Sequence, residues 1–395
     1  MAGSTKTEID LFAAVRATSG FGTLLKRLGK GGALHCRGVA RGAQPFLTVL
    51  LRQAFPDRPI VAVTEGVKAQ ELFHQDVETW LSVLHGKPPE GSGRPMFYPA
   101  WEVLPHEDKL PHVDVVSERL ETLVRLGLKE ASPLVVTNVL ALMQRTYRPE
   151  AVQSRMRVVK AGDQIDPLDL VEWLEDQGYE PEARVNHKGE IALRGGILDL
   201  FPLISPWPVR IEFFGNEIES VRYFDPATQI STETIERVTI APAGELGILK
   251  QMGKVAGAGE SCGLLEHVPA GSLVLLLEPE LIEEHVARQF QNNPGGGAFL
   301  LSWEEVLEQL GRNAVVRVEE TLTHAAGPDG AVDLGLEGLD GFRPIMERAP
   351  QPEVAEQQRR AFFDQLHRWL RRGDAVEVFC NNEGERQRFG EIWEE

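Results

Sequence analysis

Several things are scarce in this sequence, and each shortage removes a class of protein. Its three cysteines, Cys36, Cys262 and Cys380, are far apart and odd in number. They fit reduced thiols and supply neither a disulfide framework nor a zinc site. No window approaches the ~18 consecutive apolar residues of a membrane helix. The opening MAGSTKTEIDLF lacks the apolar core of a signal peptide, so a cytoplasmic location is expected. Basic residues are outnumbered, 41 against 59 acidic, for a net charge of −18. A chain that grips nucleic acid through phosphates carries a basic face. This balance argues instead for a protein partner. No nucleophile elbow, H-E-x-x-H, kinase set or recognisably spaced Cys–His pair is present.

What is there is an ordinary globular composition, 42% hydrophobic and 25% charged, over 395 residues. That length predicts two or three domains. Residues 8 to 30 read as a helix. A strand at 33–36, a loop at 37–44 and a helix at 45–55 follow, Pro45 suiting a first helical turn. The β-branched run 59–64 is a buried strand, 66–81 an amphipathic helix, 95–101 a short strand, 115–127 a helix and 133–139 another strand. Alternating strands and helices over 30–148 predict a parallel sheet covered by helices.

Near residue 150 the pattern changes. A strand and a helix opened at Asp166-Pro167 lead into RVN, EIALR, GILDLF, VRIEFFG, IESVRYFD and IERVTIAP, nearly all β up to Ile240. Gly215-Asn216 marks a hairpin. Residues 242–272 connect, and 272–322 return to strand and helix, completing the first sheet. Residues 323–340 read as a linker. The last part, 353–395, reads helix, strand, helix and starts a further unit, which suggests a piece of a longer protein. The expected division is 1–148 and 242–322 for one discontinuous α/β domain, 149–241 for an inserted α+β domain, and 341–395 for a truncated α/β unit.

Four places could carry chemistry. GVARGAQP, 38–45, lies where a phosphate loop G-x-x-x-x-G-K-[ST] would lie. Gly38, Arg41 and Gly42 lie in this loop, but Ala43 replaces the second glycine of the pattern. Gln44 replaces the lysine that neutralises phosphate, and Pro45 replaces the magnesium ligand. The expected reading is a vestigial loop with no cofactor and no ATP hydrolysis, with weak anion binding through Arg41 as the alternative. Second, His106, Glu107, Asp108, His112 and Asp114 are metal-ligand types, but their spacing matches no common site, and a solvated polar loop is expected. Third, Arg359, Arg360, His367, Arg368, Arg371 and Arg372 lie on a helix whose Phe362, Phe363, Leu366, Trp369 and Leu370 form a core stripe. A packed helix with a solvated basic face is expected. Fourth, 184–225 alternates a buried face, from Ile191 to Phe213, with an outward polar face including Arg194, Asp199, Arg210 and Glu212. Pattern alone fits a plain half-buried sheet as well as a partner surface that pairs Arg194 with Phe201.

These segments resemble a known family. FYPAWEVLPHEDKLPHVDVVSERLETLVRL (97–126), LEDQGYE (174–180), LRGGILDLFP (193–202) and VRIEFFGNEIESVRYFD (209–225) are similar, in order and spacing, to the N-terminal UvrB-like region of the bacterial transcription-repair coupling factor family. The resemblance implies a degenerate P-loop NTPase-like parallel sheet interrupted by an inserted α+β domain that docks UvrA. It implies a non-catalytic adaptor that recruits UvrA to a stalled RNA polymerase in nucleotide excision repair. ATP and magnesium, RNA polymerase and DNA would belong to downstream domains of the full-length translocase. By position Arg194 matches the basic residue of the family's R-G-x-L-D-L-F motif and is the expected UvrA contact, with Arg184 and Phe201 beside it. Glu180 departs from relatives that carry a basic residue after Gly-Tyr. A DNA-binding or ATP-hydrolysing repair module is the alternative.

Overall fold

A computed structural model describes residues 10–394 apart from 32, 90, 102–111, 128–131, 244–260, 293–298, 321–330, 340–341, 343–351, 379 and 381. The first strands are β1 (Leu34–Val39), β2 (Ile60–Thr64), β3 (Met96–Tyr98) and β4 (Leu134–Asn138). Far along the chain, β15 (Leu273–Leu277), β16 (Ala314–Val318) and β17 (Val332–Leu336) join them. The resulting seven-stranded sheet has the order β17-β1-β16-β15-β2-β4-β3 and is parallel throughout. The central strands β2, β4 and β15 are buried at every residue. Such continuous apolar runs suit a sheet covered on both faces. Alternation sorts them: Ile60 and Ala62 enter one core with Phe21, Leu50 and Val77, and Val61 and Val63 enter the other with Leu120, Leu142 and Ile282.

The first core is roofed by α1 (Leu11–Arg16), α2 (Ser19–Leu28), α3 (Gln44–Ala54) and α4 (Val67–His85). The single helix expected over 8–30 is therefore two. Thr18 breaks it, because its hydroxyl accepts from Phe21 N and caps the second helix. The other face carries α5 (Val113–Gly127), α6 (Val139–Met143) and the helices Pro279–Asn292 and Trp303–Leu310. The linker expected over 323–340 is corrected at Val332–Leu336, which forms the edge strand against β1. Glycine in VDLGL hid it. Gly335 takes φ 61, and the register slips where Gly38, at φ 63, bulges out of β1.

Between the two groups of strands run the short β5 (Thr146–Tyr147), α7 (Pro149–Ser154) and β6 (Arg157–Lys160). Then α8 (Pro167–Asp176) packs on a second sheet, built from β7 (Glu180–Pro181), β8 (Glu190–Arg194), β9 (Ile197–Leu200), β10 (Val209–Phe214), β11 (Glu217–Phe224) and β12 (Ser231–Thr234). Its order is β12-β11-β10-β9-β8-β7, antiparallel except at β7–β8. Gly215, at φ 62, turns the expected hairpin. RVN forms no strand; Arg184 sits in a loop. Strand β13 (Arg237–Ile240) returns to pair with β6, and the short β14 (Ser261–Cys262) pairs with β5.

The helix Pro352–Arg372 packs on Glu383–Glu394 through Phe363, Phe389 and Trp393, with ring centroids 5.6 and 5.9 Å from Phe363. Its basic face is solvated, and Arg359 and Arg360 each pair with Glu356 at 2.8 Å. The strand expected from AVEVFC is not formed over 374–378, since no neighbouring strand among the described residues takes its backbone hydrogen bonds.

Candidate docking face and the β1–α3 turn

The inserted sheet has one face on α8 and one toward solvent. Register places Arg194, Ile197, Glu212 and Ser220 in one row across β8–β11, and Ala192, Asp199, Arg210 and Arg222 in the next. The second row is a closed network. Asp199 is only 3% exposed and takes two bonds from Arg210, at 2.7 and 2.9 Å. Arg210 also donates to Gln229 O and Ser231 Oγ and lies 4.8 Å over the Phe224 ring. The Asp199 bonds raise the Arg210 pKa. Facing outward is thus not the same as being exposed: Asp199 and Arg210 satisfy each other inside the face.

The first row is open. The Arg194 side chain is 55% exposed, with only a loose 3.9 Å contact to Asp199. Ile197 beside it is 39% exposed, and Phe214, at the hairpin end of β10, is 81% exposed. Arg222, paired with Glu212 at 3.6 Å, borders them. Arg194 therefore has Ile197 as its register partner, with Phe214 farther along the same face on β10, and not its expected neighbours. Phe201 lies at the other end of the same face, half-buried against Val185, Ala192 and Phe224. Arg184 is spent on structure, donating to Pro226 O and Ala227 O at 3.2 and 2.7 Å. Glu180 is exposed on the β7 edge. Phe214 had a visible sequence signal, the second aromatic of FFGN at a hairpin turn.

The turn after β1 is filled from within. Gln44 opens α3 and its side chain is buried, donating to Val39 O at 3.3 Å and to the Glu278 carboxylate at 2.6 Å. Glu278 also accepts from Glu320 N at 3.1 Å and stands just past β15 with φ 53, a strained value for a side-chain-bearing residue. Burial raises its carboxyl pKa, and the Gln44 bond opposes this. Arg41 reaches Glu65 at 3.8 Å. Gly38 serves the bulge. Gly42 has a negative φ and open space where a Cβ would stand, so nothing there requires glycine.

The remaining expectations resolve simply. His106, Glu107 and Asp108 lie outside the described residues; His112 and Asp114 face each other at 3.3 Å in solvent. Among the described residues no group of three or more potential ligands could hold a metal. Cys262 and His267 do meet, at 3.6 Å, which their spacing had not disclosed. Burial pushes the Cys262 thiol up to about 12, and Cys36 likewise, so neither is a ready nucleophile. No helix among the described residues is long and apolar enough to cross a membrane.

Residues 158–246, the run holding this second sheet, match the UvrB interaction domain family. The chain is also similar to curated proteins named transcription-repair-coupling factor. Identity is 37% over 150 residues with that of Haemophilus influenzae, covering 38% of this chain and 13% of the relative. It is 38% over 145 residues with that of Escherichia coli, covering 37% and 12%. With that of Bacillus subtilis it is 36% over 209 residues, covering 53% and 17%. The matched stretches thus span less than a fifth of these relatives' length.

Proposed function

We propose that this chain is the UvrA-docking arm of a transcription-repair coupling factor, a non-catalytic adaptor acting in the bacterial cytoplasm. One observation carries the reading. The residues that match the UvrB interaction domain fold into a sheet whose open row presents the largely exposed Arg194 beside exposed Ile197, with exposed Phe214 at the hairpin end of the same face. Arginine with an aromatic anchor is the composition of energetically dominant interface residues. An acidic chain of net charge −18 favours such a protein partner over DNA.

The same reading makes the β1–α3 turn a relic phosphate loop that uses neither ATP nor magnesium. Gln44 and Glu278 fill the space with an internal bond, and a carboxylate there repels phosphate. RNA polymerase and DNA are assigned to parts of the full-length relatives outside the matched region.

The test is capture of purified UvrA by the wild-type chain, Arg194→Ala, Phe214→Ala and Arg184→Ala. Arg194→Ala and Phe214→Ala should each weaken capture by about tenfold or more. Arg184→Ala acts only through its loop. No capture by wild type defeats the adaptor reading, and ATP turnover by the purified chain defeats the relic loop.

A further inference from the structure

A second surface lies at the carboxyl end of the parallel sheet, where open α/β sheets receive ligands. It is a cavity of about 700 Å³ beside the β1–α3 turn. Leu11, Val15, Phe46 and Trp80 line it on one side. Phe46 packs on Trp80 at 4.7 Å and on Phe12 at 5.0 Å, so this wall is a rigid aromatic stack. Gly42 and Arg41 form the edge nearest the turn, and Leu339 lies on the opposite rim.

The charge around the cavity is one-sided. Glu320 and Glu337 are on its wall. Neither is ion-paired with a cation among the described residues, whereas Arg41 is already engaged by Glu65. Glu278 adds a further carboxylate at the turn. A phosphate or acidic peptide would meet this carboxylate group with one shared arginine against it. A cation would meet the reverse.

The apolar surface also runs past the cavity mouth. Leu339 is exposed at the rim, and Val83, one helical turn from Trp80 on α4, is exposed as well. An enclosed small molecule would leave both in water; an extended segment would cover them. From the aromatic wall, the carboxylates that have no ion pair among the described residues and the continued apolar rim, we propose that this cavity docks a basic amphipathic helix of a partner protein. Its apolar side chain would pack against the wall formed by Phe46 and Trp80, and a flanking Lys or Arg would meet Glu320 and Glu337. This is a different surface from the Arg194 face and independent of UvrA docking.

Gly42 offers a clean test, because a side chain there points into open space with no backbone strain. The probe is an 18-residue helical peptide of leucine and lysine with one apolar stripe, compared with its leucine–glutamate counterpart. Binding is read by calorimetry and by hydrogen-exchange protection of residues 40–46 and 76–84. The wild-type chain should bind the lysine peptide and protect both segments. Gly42→Trp, which fills the cavity, and Glu320→Lys with Glu337→Lys, which reverses the rim, should each weaken it at least about tenfold. UvrA capture should be unchanged in both variants. Equal binding of the glutamate peptide overturns the proposal. So does loss of binding on charge reversal with Gly42→Trp unaffected, which would mark diffuse attraction to an acidic surface. Absence of binding to wild type overturns it too.

Discussion

The side-chain amide of Gln44 donates to the carboxylate of Glu278 at 2.6 Å, joining residues 234 positions apart. One stands where a phosphate loop would have its lysine, the other just beyond a central strand of the same sheet. Gln44→Ala leaves a buried carboxylate short of a donor and should cost about 1–3 kcal/mol. Urea unfolding measures it. Glu278→Gln, which keeps the shape, should cost less, and the two variants should not add.

On the proposed docking face, stability and binding should separate. Arg210 holds the buried Asp199 through two short bonds, whereas Arg194 touches it only at 3.9 Å and is mostly in solvent. Arg210→Ala strands a buried charge and should destabilise by about 3–5 kcal/mol. Arg194→Ala should change stability by no more than about 0.5 kcal/mol. Chemical denaturation of the two variants, beside UvrA capture, reads both effects.

Arg119 is fully buried between the rings of Tyr98 and Trp101, 4.3 and 4.4 Å from its guanidinium carbon, and donates to Pro99 O and Gln144 Oε1. Arg119→Ala removes packing, a cation–π pair and these bonds, and should cost about 3–5 kcal/mol. Arg119→Lys should recover only part, since an ammonium cannot stack flat between two rings. Differential scanning of melting temperature distinguishes the three proteins.

Glu118 lies on α5 beside the inserted unit. Burial, then the charges of Asp114 and Glu121, push its carboxyl up to about 7. A carboxyl raised in the fold binds its proton more tightly there than in the unfolded chain. Below both pKa values the group has no net effect, stability falls as pH rises from about 4.5 through 7, and above 7 the full cost of the buried charge is present. Glu118→Gln should therefore be more stable than wild type at pH 8 and similar at pH 4.5 or below. Denaturation midpoints across this range decide it, and parallel curves for the two proteins would refute the shift.

Two glycines of one turn should behave oppositely. Gly38 holds φ 63 in the β1 bulge, so Gly38→Ala should cost about 1–2 kcal/mol. Gly42 is unconstrained, and Gly42→Ala should be neutral or stabilising by about 0.4–1 kcal/mol. Thermal unfolding of both variants provides the comparison.

The parallel sheet was legible in the sequence because its strands are short apolar runs between helical periods. The hairpin at Gly215-Asn216 was legible because its turn chemistry is specific. Val332–Leu336 was not, since a glycine at positive φ interrupts an edge strand that only β1 holds in place. At the site, the motif around Arg194 falls on the open row of the sheet, but its expected neighbours Phe201 and Arg184 do not stand in that row. Alternation put Asp199 and Arg210 outward without disclosing that they neutralise each other, and it could not show that Phe201 turns into a small cluster while Phe214 stays in water. Long-range pairs such as Gln44–Glu278 leave no local pattern at all.

The pairing of β6 with β13 has a mechanical meaning. The chain enters and leaves the second sheet through two strands bonded to each other, Arg157 opposite Ile240 and Lys160 opposite Arg237. Lys188 is meanwhile tied to Ser117, and Ser117 to Leu203 O, at 2.9 and 2.6 Å. A pull on the Arg194 face is therefore carried by a two-stranded stalk and a side brace into the helix α5. Whatever seizes that face takes hold of the parallel sheet as a lever takes hold of its fulcrum.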